Sequence, residues 1–226
     1  MLVALIIYFR IEWKKSIAIP AISELSVPLK LTVFNYFLAW AALYLVFYPL
    51  SFIFPVFVNS WLIELPPPLI YYDADGSYPS LVNLLSFLSL VVFAPLIEEV
   101  IFRGVLLHRW AEKWDLKSAV IMTSVLFGIG HTDPLGSFVF GVSMCIIYLQ
   151  TQNLVIPIIC HSLYNLTVWL IDLGFISLEG PDSIYTLETF QNEWYLGVIA
   201  GFVTCIWAFT YLKTRESQRV WRLPKI

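Results

Sequence analysis

Six polar residues of this chain could do chemistry: Glu98, Glu99, Arg103, His131, His161 and Asn165. All lie in apolar text. Glu98-Glu99-Val100-Ile101-Phe102-Arg103 sits at one end of a stretch that begins at Leu81 and is broken only by Asn83 and a few serines. An ionisable side chain at bilayer depth costs on the order of a few kcal/mol unless it is paired or faces a wet cavity. A carboxylate and two imidazoles are the groups that take and give protons at neutral pH. An imidazole beside an amide, as in His161 and Asn165 at i and i+4, supplies donors for a developing oxyanion.

The surrounding elements must be membrane helices. The 226 residues are 59% hydrophobic and 13% charged, with a mean hydropathy of +0.79, whereas a soluble domain carries about 25% charged residues. Six spans are predicted, at about 31–58, 81–108, 118–131, 135–150, 154–172 and 195–212. Pro49 and Pro55 should kink or break the first. Pro66-Pro67-Pro68, Asp73-Ala74-Asp75-Gly76-Ser77 and Glu179-Gly180-Pro181-Asp182 read as loops. The 13 basic residues fall into three groups: Arg10 to Lys30, Arg103 to Lys117, and Lys213 to Lys225. With six spans every group lies at one face, while loops 59–80 and 173–194 carry acids and no base. The positive-inside rule then places both termini in the cytoplasm. Residues 1–30 read as a cytoplasmic or interfacial segment, 31–212 as one membrane domain and 213–226 as a basic cytoplasmic tail. The first nine residues are apolar but too few to span.

Depth supports convergence. At about 1.5 Å of rise per residue, Glu98 lies about 18 Å from the Trp110 end of its span, His131 about 21 Å from Lys117, and His161 and Asn165 about 12 and 18 Å from Asn153. The third and fourth spans are shorter than the roughly 20 residues needed to cross. That sinks the His131–Gly136 loop, which irregular backbone tolerates only against protein or a water-filled cavity. The predicted fold class is an all-α integral membrane protein, a bundle of about six transmembrane helices around a polar cavity open to the cytoplasm and floored by His131.

Each residue has a functional and a structural reading. Glu98 and Glu99 point about 100° apart on a helix, so Glu98 is the working carboxylate. Glu99 and Arg103, at i and i+4, form a supporting ion pair; one arginine cannot neutralise two buried acids. His131 shares a helix face with Phe127, and its structural alternative is a histidine bonded to a loop carbonyl. For His161 and Asn165 the alternative is helix–helix hydrogen bonding. His108 reads as an interfacial residue, and Cys145, Cys160 and Cys205 as small apolar side chains. There is no His-Glu-x-x-His. Gly141-Val142-Ser143-Met144 with His161 is faintly similar to a rhomboid Ser/His dyad, but the second glycine is missing.

Three motifs occur in order: E-E-x-x-x-R (Glu98, Glu99, Arg103), F-x-x-x-H (Phe127, His131) and H-x-x-x-N (His161, Asn165). With the flanking APLIEEVIFRGVLLHRW and CHSLYN they resemble the CPBP intramembrane proteases, which include the Ras-converting CAAX proteases and the bacterial Abi proteins. The resemblance covers about residues 90–170. It implies an all-helical bundle with a conical cavity and an endopeptidase activity. Glu98 would be the catalytic glutamate, His131 its partner in polarising a water, and His161 and Asn165 the oxyanion donors. The family is often labelled metalloprotease. Glu98, His131 and His161 would be a legitimate zinc set, but that use of Glu98 would leave no base, and a metal-free reaction with no cofactor is the preferred expectation. The implied partners are the lipid bilayer and a peptide or membrane-protein substrate, CAAX-type or other; no basic patch points to nucleic acid. Two further classes fit parts of the pattern: a non-catalytic membrane scaffold or immunity protein, and an ion or proton carrier.

Overall fold

The structure is a computed structural model that describes residues 17–64, 69–73, 76–179, 186–213 and 223. Most of the N-terminal segment, the triple-proline loop, the Gly180–Asp182 turn and nearly all of the basic tail lie outside the described residues. The rest is helical, with no strand among the described residues. We number the helices α1 (Ile22–Ile53), α2 (Pro55–Val58, continuing as the π-helical Asn59–Glu64), α3 (Ser80–Lys113), α4 (Leu116–Ile129), α5 (Pro134–Thr151), α6 (Val155–Glu179), α7 (Leu187–Asn192) and α8 (Trp194–Leu212).

Helices α1, α3, α5 and α6 are long and apolar enough to cross a membrane, and α4 and α8 are shorter apolar helices. Together these helices occupy the six predicted segments, with shifted ends, though only four are long enough to be candidate spans. Large apolar side chains such as Leu45, Leu81, Ile97, Ile129, Val198 and Phe202 stand exposed around the bundle. Patches of that extent are stable against lipid, not water. Chain breaks follow local chemistry. Helix α1 runs through Pro28 and Pro49 and ends at Phe54, where Pro55 takes the first position of α2. Gly76, at φ +81°, closes the predicted turn by donating to the Asp73 carbonyl. Asn83, the first polar break in α3, ties that loop down by bonding both the N–H and the C=O of Tyr71.

Helix α4 has 14 residues and so rises about 21 Å, short of a hydrocarbon core about 30 Å thick. It turns back at Gly130–Asp133 into α5, whose first turn is capped by Asp133 with Pro134 behind it. The two helices pack closely because Gly141 faces Ser124: a Cβ there would lie 3.0 Å from the Ser124 Cα and Cβ. Gly141→Ala is therefore expected to cost about 1–3 kcal/mol through overpacking, read as a lower Tm in detergent. One apolar cluster (Val100, Leu107, Ala119, Cys145, Tyr148, Leu149) joins α3 to α4 and α5. A second (Leu31, Phe127, Phe140, Met144, Ile156, Cys160) joins α1, α4, α5 and α6.

Outside the spanning segments, Asp115 caps α4. It accepts from the Lys117 and Ser118 N–H groups at 2.8 and 3.0 Å and from the Ser118 hydroxyl at 2.6 Å. These bonds, the hydroxyl's foremost, hold its carboxyl below the ordinary value of 3.8. Because the folded value is the depressed one, the cap's contribution is complete above the ordinary value and is lost as pH falls through the lowered one. Between about pH 5 and about pH 2.5, Asp115→Ala should accordingly show a smaller fall in Tm than the wild-type chain.

His108 is buried against α5, with Nε2 2.9 Å from the Tyr148 hydroxyl.

Candidate active site

Helix α3 carries both glutamates at the end of its α-helical turn Ala94–Glu99, between two π-helical stretches, Ser89–Phe93 and Val100–Leu106. Such widened turns re-aim side chains and are frequent at functional sites. Glu99 is fully buried and Glu98 is 27% exposed. The expected i,i+4 pair forms: Arg103 Nη1 donates to Glu99 Oε1 at 2.9 Å. Arg103 Nη2 donates to the Gly141 carbonyl at 3.0 Å, and the guanidinium lies 5.0 Å from the centroid of the Phe127 ring. Arg103 is therefore committed to Glu99 and leaves Glu98 without a cation.

Glu98 is faced instead by the two histidines. Its Oε2 lies 3.9 Å from His131 Nε2 and 3.9 Å from His161 Nε2, too far for direct hydrogen bonds. That oxygen is buried with no hydrogen-bond partner among the described residues. His131, just past the end of α4, stacks on Phe127 with ring centroids 4.4 Å apart. Its Nδ1 is 2.7 Å from the Phe127 carbonyl. A carbonyl can only accept, so Nδ1 carries the hydrogen. His161, on α6, places Nδ1 2.9 Å from Glu99 Oε1, with the Phe140 ring against its own at 4.7 Å. Asn165, one turn further on, donates from Nδ2 to the Leu90 carbonyl at 2.8 Å.

The structure thus brings Glu98, Glu99, Arg103, His131 and His161 into one cluster, and it ties Asn165 to the π-helical stretch of α3. Sequence reasoning had Glu99 pointing away from the centre. Adjacent helix positions diverge by about 100°, but the His161 ring reaches both carboxylates, with Nδ1 2.9 Å from Glu99 Oε1 and Nε2 3.9 Å from Glu98 Oε2. Ser143 does not join the cluster: its hydroxyl bonds the buried Asn35 at 2.7 Å and the Val139 carbonyl at 3.1 Å, so the rhomboid-like pairing with His161 does not form. Neither Asn35 nor the Leu90 and Gly141 carbonyls stood out in the sequence; a lone amide within the first span was the one available signal.

For a metal, the donor types Glu98, His131 and His161 are suitable, but no three acid, histidine or cysteine side chains among the described residues are arranged to hold an ion.

A multi-pass, all-helical membrane protein with a half-buried glutamate between two oriented histidines is the class that fold and site define. Residues 80–167 match the family described as type II CAAX prenyl endopeptidase, Rce1-like. Two relatives are similar to it. A Bacillus subtilis (strain 168) protein named "Putative membrane peptidase YdiL" is 30% identical over 85 residues, 36% of this chain and 35% of that protein. An Escherichia coli "Uncharacterized 24.3 kDa protein" is 27% identical over 116 residues, 47% of this chain and 52% of that protein. The matches therefore span about a third and about half of these relatives' lengths. No solved structure matches the chain.

Proposed function

We propose that this chain is an intramembrane endopeptidase in which Glu98 and His131 activate a water that hydrolyses a peptide bond. The observation that carries the reading is the convergence of two Nδ1-anchored imidazoles on the buried, unpartnered Glu98 Oε2. A water held about 2.8 Å from Glu98 Oε2 and His131 Nε2 donates one hydrogen bond to each acceptor, which turns a lone pair towards a substrate carbonyl. As the C–O bond forms, Glu98 takes the proton and the carbonyl oxygen becomes an oxyanion. His161 Nε2 and the second Nδ2 hydrogen of Asn165 are the donors that hold it. With Nδ1–H already given to Glu99, His161 can donate from Nε2 only when both ring nitrogens carry protons. The tetrahedral intermediate collapses with cleavage of the C–N bond, and the proton on Glu98 passes to the leaving amine. This route needs no metal or other cofactor.

On this reading the substrate is a peptide or membrane protein presented at the bilayer, CAAX-type or other. Residues 31–212 form the protease domain, and a polar cavity opens to the cytoplasm, where the basic segments place both termini.

The test compares new peptide termini, by mass spectrometry, in membranes of cells holding equal amounts of wild-type chain or Glu98→Gln. Termini that vanish with the variant support proteolysis and name substrates. Identical profiles, with an effect seen only when the whole chain is removed, would sink the protease reading in favour of a scaffold.

A further inference from the structure

We propose that Glu99 is a positioning residue of this site: it fixes which nitrogen of His161 carries hydrogen and aims the other at Glu98. The geometry stands on its own; its consequence for turnover rests on the protease reading. Glu99 is fully buried, and its Oε1 accepts twice at 2.9 Å, from Arg103 Nη1 and from His161 Nδ1. A carboxylate paired with a guanidinium is an acceptor only. The shared bond therefore puts the hydrogen of His161 on Nδ1 and leaves Nε2 facing Glu98 Oε2 at 3.9 Å. His131 is fixed in the same sense by the Phe127 carbonyl. The same Phe127 carries the Arg103 guanidinium on its ring. One buried device thus orients both imidazoles, and the tautomer with hydrogen on Nε2 and a bare Nδ1 is closed to either ring.

A purely structural role for Glu99 and Arg103 makes a different forecast. A buried ion pair can be exchanged for apolar side chains of similar volume at little cost in stability, and a glue-only pair could be exchanged without touching the site. A carboxylate that orients a working histidine cannot; loss of such an outer partner commonly costs 10–100-fold (the range is roughly that seen around metal-bound histidines).

The deciding experiment is the 15N spectrum of histidine-labelled protein in nanodiscs. The chain has three histidines, so His108→Gln and His131→Gln complete the assignment. In the wild-type chain His161 should show a protonated Nδ1. In Glu99→Leu/Arg103→Met, which removes acceptor and cation together, it should become a mixture of the two neutral tautomers. Cleavage should fall about 10–100-fold in kcat with little change in KM, at a Tm close to that of the wild type. Glu99→Gln, whose amide oxygen still accepts from Nδ1, should keep the tautomer and recover part of the rate. An unchanged His161 spectrum in the double variant overturns the proposal. So does a ring protonated on Nε2 alone in the wild-type chain, a result readable even if the double variant does not fold. The spectrum needs no turnover: a chain with no Glu98-dependent cleavage defeats the protease reading, and the tautomer is still decided.

Discussion

The purified chain carrying Glu98→Gln is expected to cleave peptide about 10²- to 10⁴-fold more slowly than the wild type, with KM little changed. Glutamine preserves the shape of the side chain and its oxygen acceptor, so the water can still be bound beside His131. What it cannot do is take the proton that the water must lose as the C–O bond forms. The loss should therefore fall on the chemical step and leave binding nearly intact. Stability should change little, because Glu98 is part-exposed and makes no direct hydrogen bond through Oε2 that the variant would break. Continuous cleavage of a quenched peptide in detergent, with Tm measured on the same preparations, checks both halves. A variant with wild-type kcat would remove Glu98 from the reaction.

The placement of Glu98 shows what a sequence can and cannot tell about such a site. Hydropathy and turn residues located the six apolar helices, because in lipid every span must satisfy its own backbone and so announces itself as a long apolar run. Counting residues along those runs brought Glu98, His131 and His161 to one level, and Phe127 and His131 to one face. Their ends drifted by a few residues: α1 begins at Ile22 and α3 continues to Lys113, since helices extend past the hydrocarbon into polar flanks. The missed features come from geometry with no local signature. The π-helical turns of α3 shift the phase of its faces, and the Leu90 carbonyl that holds Asn165 lies in one of them. His161 reaches both glutamates because an imidazole has two nitrogens on opposite sides, a fact about α6 meeting α3 that spacing within α3 cannot supply. Arg103 finds the Gly141 carbonyl because α5 comes close to α4 at a glycine, and that contact is 38 residues away in the chain.

Arg103→Leu is expected to destabilise the fold by about 3–5 kcal/mol. Arg103 is 1% exposed and Glu99 0%, so removing the guanidinium strands a carboxylate where neither water nor lipid can solvate it. It also removes the bond from Arg103 to the Gly141 carbonyl, a polar tie between α3 and α5. Arg103→Lys should recover only part of the loss. An ammonium can approach Glu99 or Gly141, but it lacks the planar fork that serves both and lies over the Phe127 ring. Glu99→Leu/Arg103→Met should be closer to wild type than Arg103→Leu alone, since it removes the charge and its partner together. Thermal unfolding of the four proteins in one detergent orders them directly. Arg103→Leu as stable as wild type would mean that Glu99 is solvated by another route and that the Arg103–Gly141 bond does not hold α3 to α5. The ordering also separates two uses of one residue pair. Stability depends on having both charges or neither, whereas orientation of His161 depends on having the Glu99 acceptor at all, so the double variant should be folded and slow.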